Sequence, residues 1–133
     1  LQLEAESPQQ FDVLVVDAFS GDSVPVHLLT REAFEQYARH LKPNGVMAVH
    51  ITNRFLDLQP VIQTAAQKLG FTARLIDHPG DDERLVYPST WALLAKDPQW
   101  FAQNALKAGT KLNSPLGFVP WTDDYSSLFA VVK

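Results

Sequence analysis

Apolar positions fall in blocks along the first half of the chain. Phe11-Asp12-Val13-Leu14-Val15-Val16-Asp17 sets four apolar, mostly β-branched residues between two acids. The run is too short for a helix, so it predicts a strand buried on both faces, entered from a polar lead-in over residues 1–10. Ala33, Phe34, Tyr37, Ala38 and Leu41 then recur at three- and four-residue steps, which predicts a helix with Thr30 as its N-cap and Glu32 in its first turn. Pro43-Asn44-Gly45 is expected to end that helix, and Val46 to Ile51 to form a second buried strand.

The pattern repeats. Leu58, Val61, Ile62, Ala65, Ala66 and Leu69 keep helical spacing behind a cap at Asp57, with Pro60 tolerated in the first turn and Gly70 as the stop. Phe71 to Ile76 and Thr90 to Ala95 read as strands, separated by a polar loop from His78 to Arg84. Asp97-Pro98 opens a short helix expected to reach about Leu106, and 110–120 reads as loop before an apolar tail at Phe129 to Val132. Trp91 and Trp100 are expected in the core.

Strand, helix, strand, helix, strand, strand is the order of an α/β protein, and specifically of the C-terminal half of a doubly wound sheet. Residues 1–133 then form a single partial domain. In such a sheet ligands bind at the carboxyl ends of the strands, which puts Asp17, the loop through Asp22 and the turn Thr52-Asn53-Arg54-Phe55 at one edge. The six glycines stand at 21, 45, 70, 80, 109 and 117, and no two make a Gly-x-Gly turn. A cradle for a nucleotide-type ligand is therefore expected outside this chain.

Charge and composition narrow the classes. A net charge of −4 without a basic run argues against nucleic acid as a partner. With no cysteine there is no thiolate chemistry, and His27, His40 and His78 are too scattered for a metal site. Ser20 follows Phe19 rather than the leading glycine of a nucleophile elbow, which disfavours a hydrolase. No apolar run approaches the roughly 20 residues that cross a bilayer, so a cytoplasmic location is expected for this segment.

Asp12 to Asp17, Pro25, Leu29 to Phe34 and Leu41 to Gly45 resemble the spermidine synthase family of polyamine aminopropyltransferases. His50 to Leu58 and Trp121 to Ser126 are similar to stretches of bacterial spermidine synthase-like proteins, in which such a domain is often fused behind membrane-spanning segments. The resemblance implies a Rossmann-like methyltransferase fold, with decarboxylated S-adenosylmethionine or S-adenosylmethionine as co-substrate and a polyamine as acceptor. A homo-oligomer is expected, with membrane-spanning segments elsewhere in the parent protein. By the same resemblance Asp17 helps deprotonate the attacking amine, Ala18 and Phe19 lie against the co-substrate, and Ser20 stands where the family's diamine-binding acid falls, with Asp22 two residues on.

A polyamine site needs carboxylates around an apolar channel, and one of them must accept a proton. Asp17, Asp22, Asp123 and Asp124 are the candidate acids, with His50 facing the cleft and Phe19, Phe55, Trp121 and Tyr125 offering cation–π contacts. Asp123-Asp124 also reads as a turn or cap before Tyr125. Two other readings stand beside aminopropyl transfer: methyl transfer to another acceptor, and a non-catalytic assembly domain whose sheet pairs with another copy.

Overall fold

A computed structural model describes residues 2–17, 23–103 and 106–133. Its elements are α1 (Gln2–Ala5), β1 (Phe11–Val16), α2 (Arg31–His40), β2 (Leu41–His50), α3 (Gln59–Lys68), β3 (Thr72–His78) and β4 (Ser89–Ala95). The four strands form one sheet in the order β1-β2-β4-β3. β1 and β2 pair in parallel, while β4 runs antiparallel to both β2 and β3. The chain is thus an α/β fold built on a mixed sheet.

Register fixes the faces. Leu14 and Val16 align with Met47 and Val49, which align with Leu94 and Ala92, which in turn align with Ala73 and Leu75. All of these except Leu14 are buried, and they share one core with Phe34 and Tyr37 of α2 and Val61, Ile62, Ala65 and Ala66 of α3. Both helices therefore cover the same face. Right-handed crossovers between strands stepping in one direction give that result. The opposite face keeps Val13 and Val15 exposed at 52% and 59%, so β1 is covered on one side and not on both as its composition predicts.

The helices follow their sequence signals closely. Thr30 caps α2, its hydroxyl accepting from the Ala33 N–H at 3.2 Å. Tyr37 donates to the Leu28 carbonyl at 3.1 Å, and burial pushes its phenol up. In α3 Leu58 occupies the cap position while Asp57 accepts from the Gln59 N–H at 3.1 Å, and Gly70 ends the turn with φ of 74°.

Three further expectations differ from the structure. Pro43-Asn44-Gly45 does not end α2, which stops at His40 with Leu41 as its cap. It lies within β2 as a bulge, because the pairing steps from Phe11–Leu41 directly to Val13–Val46. The segment after Asp97-Pro98 is a 3₁₀ helix over Pro98–Ala102 and not a longer helix. Trp91 and Trp100 are only half-buried, whereas Trp121 is a core residue at 2% exposure.

Candidate active site

The carboxyl ends of β1, β2 and β3 lie at one edge of the sheet, and the reversed β4 brings its amino end to the same place. Asp17 follows β1 directly, and His50 closes β2. Because β1 and β2 are parallel neighbours in register, these side chains meet, with His50 Nδ1 2.8 Å from Asp17 Oδ1. The Asp17 side chain is half-exposed at 51% and that of His50 at 21%, so the carboxylate opens to solvent while the ring is sheltered.

Trp91, expected in the core, and Thr52, expected only as part of the turn at this edge, complete this arrangement. Trp91 is the register partner of His50 across β2 and β4, and the two rings stack with centroids 4.7 Å apart at an interplanar angle of 24°. Thr52 sits two residues beyond His50, and its Oγ1 lies 2.6 Å from His50 Nε2. The Thr90 N–H donates to the same Oγ1 at 2.8 Å, and the Thr90 hydroxyl donates to Asp77 Oδ1 at 2.7 Å. A hydrogen-bonded chain therefore crosses the whole edge from Asp17 through His50, Thr52 and Thr90 to Asp77. The signal for it was the His-x-Thr step at the strand end, which puts both side chains on one side of an extended backbone.

Beside this chain is a cavity of about 240 Å³ lined in part by Thr52, Leu56, Asp57, Asp77, Thr90 and Lys133. The Lys133 ammonium is turned to the Asn53 carbonyl at 2.6 Å. Asn53 is itself buried and accepts from the Phe55 and Leu56 N–H groups at 2.9 Å each, which shapes the turn after β2.

The other predicted residues divide into two groups. Asp123 accepts from the Thr30 hydroxyl at 2.7 Å, and its N–H donates to Glu32 at 3.1 Å, so it is tied to the start of α2. Asp124 and Tyr125 are exposed on a tight turn in which Thr122 and Tyr125 bond each other's backbone. Trp121 packs in the core instead of lining a channel, and its carbonyl accepts from the Arg31 N–H at 2.8 Å. Ala18, Phe19, Ser20 and Asp22 lie outside the described residues.

Glu32 is held below the ordinary carboxyl range. Desolvation pushes it up, but its own backbone N–H, the Arg31 guanidinium and the Asp123 N–H all donate to the carboxylate and outweigh that effect. Among the described residues no group of three or more His, Cys, Asp or Glu is placed to hold a metal ion, and no helix is long and apolar enough to cross a membrane.

The class that these features define is an α/β protein of Rossmann-like architecture with its polar residues gathered at the carboxyl edge. No family model and no curated protein matches the chain. Among solved structures it is similar to the crystal structure of a probable spermidine synthase from Corynebacterium glutamicum ATCC 13032, with a TM-score of 0.55 and 23% identity. The match covers 72% of this chain and 35% of that one, so the shared region spans about a third of that protein. At this identity the likeness establishes the fold, as part of a spermidine synthase Rossmann-like fold.

Proposed function

We propose that this chain supplies the acceptor side of an aminopropyl transfer, from decarboxylated S-adenosylmethionine to a polyamine such as putrescine. The observation that carries this reading is the Asp17–His50 pair at the carboxyl edge. An ionised carboxylate with one oxygen hydrogen-bonded and the residue half-exposed keeps an acceptor for the proton that the attacking amine must lose. None of the chain's glycines forms a Gly-x-Gly turn, so the glycine-rich loop that would cradle the co-substrate is assigned outside this chain, while Ala18 and Phe19 are assigned to lie against the co-substrate.

The test is turnover of decarboxylated S-adenosylmethionine with putrescine by the full protein. Asp17→Asn should lower kcat by about 10²- to 10⁴-fold, the usual contribution of a general base. Methyl transfer from S-adenosylmethionine instead would select a methyltransferase with another acceptor. A second reading, assembly through the sheet, is favoured by the exposed Val13 and Val15 on β1. Absence of turnover with both donors would select it.

A further inference from the structure

We infer that Thr52 is a positioning residue that holds Asp17 in its proton-accepting form by fixing the tautomer of His50. The inference rests on the reading of Asp17 as the base. An ionised carboxylate has no hydrogen to give, so its 2.8 Å contact with His50 Nδ1 requires the ring to carry its proton there. A neutral imidazole has one proton. Nε2 is then a lone pair, and its 2.6 Å contact with Thr52 requires the hydroxyl to donate.

What sets the direction is the sheet. The Thr90 N–H donates to Thr52 Oγ1 at 2.8 Å, and a backbone amide in β4 can only donate. Thr52 Oγ1 thus receives a hydrogen from Thr90, and the nearer acceptor for its own is His50 Nε2 at 2.6 Å. The alternative acceptor for the Thr52 hydroxyl, the Thr90 carbonyl, is 3.5 Å away. Stacking on Trp91 at 4.7 Å opposes rotation of the ring. In the opposite tautomer the Nδ1 lone pair would face the Asp17 oxygen. Only a protonated Asp17 satisfies that contact, and a protonated Asp17 cannot take a proton. Thr52 thus acts on the base through His50 without touching it.

Imidazole ¹⁵N NMR of the protein, on the alkaline limb of the His50 titration, reads the tautomer directly, with His50→Gln identifying the signal among the four histidines. Wild type should show the Nδ1–H form. The deciding variant is Asp17→Ala: if Thr52 sets the tautomer, the Nδ1–H form persists without the carboxylate, and Asp17→Ala combined with Thr52→Val reverts to the Nε2–H form that free imidazole prefers. An Nε2–H signal in wild type, or in Asp17→Ala alone, overturns the inference. In the transfer assay Thr52→Val should lower kcat about tenfold or more with KM unchanged, within the general-base contribution, and Thr52→Ser should restore it. An unchanged kcat in Thr52→Val also overturns it. If wild type transfers nothing, the transferase reading fails, while the NMR tautomer still decides the role of Thr52.

Discussion

The Thr30 hydroxyl donates to the Asp123 carboxylate at 2.7 Å while accepting from the Ala33 N–H at 3.2 Å, joining two points 93 residues apart. One buried side chain thus caps α2 and anchors the C-terminal segment. Thr30→Val removes both bonds and leaves the Ala33 N–H without its cap. It should cost about 2 kcal/mol, at the upper end for N-cap losses. Thr30→Ser keeps both and should stay within about 1 kcal/mol of wild type, as urea midpoints would show.

The bulge in β2 makes a second, independent demand. A Cβ on Gly45 would stand 2.9 Å from the Phe11 carbonyl oxygen and 3.1 Å from that of Lys42. Both are backbone atoms, so neither can swing aside. Gly45→Ala should destabilise the fold by about 1–3 kcal/mol, the usual range for overpacking. Gly70→Ala tests a different cause, because nothing lies within 4 Å of its added Cβ but its φ of 74° disfavours a side chain. It should cost about 1–2 kcal/mol through the backbone alone.

Local signals made the helices legible. Thr30, Glu32 and the apolar stripe from Ala33 to Leu41 placed α2, and Val61 to Gly70 placed α3, because caps, periodicity and stops act within a few residues. The carboxyl edge was legible too, since Asp17 and His50 each end an apolar run. Their contact was not, because it depends on which strands are neighbours and in what register. The roles of Trp91 and Thr52 were missed for the same reason, as they arise only when the reversed β4 lies beside β2. The aromatic residues misled because burial follows the sheet's covered face. Trp91 projects from the side opposite the helices, while Trp121 reaches the core from an irregular segment that carries no period. The early start of β2 was hidden because a bulge places proline and glycine inside a strand.

Acidification should loosen the start of α2. Glu32 is depressed in the folded protein, so between its folded and unfolded values the unfolded chain binds more protons. The stability it contributes is therefore fully present above the unfolded glutamate value of about 4.3 and is lost as pH falls through the folded value. Glu32→Gln lacks that titration. The stability difference between wild type and Glu32→Gln, measured by denaturation across that range, should favour wild type near neutrality and shrink on acidification. A difference that stays constant with pH would show that the Asp123 and Arg31 bonds do not distinguish the carboxylate from the amide.

The outer face of β1 bears on whether copies of the chain associate. β1 pairs only with β2 among the described residues, and Val13 and Val15 lie on the face away from the helices with exposures of 52% and 59%, while the Phe11 ring stacks 6.5 Å from that of His40 in α2. An apolar edge strand of this kind is a template for another strand, and a charge placed on it blunts that tendency. Val15→Lys puts an ammonium on this face. Since Val15 is exposed, the change should alter stability by no more than about 0.5 kcal/mol, as is usual for surface substitutions. Sedimentation of wild type and Val15→Lys over a concentration series then separates the cases. If β1 mediates assembly, wild type should show concentration-dependent mass and Val15→Lys should sediment as the monomer. An oligomer of equal size in both would place the contact away from this face, because packing against it would bury the Val15→Lys ammonium without a partner.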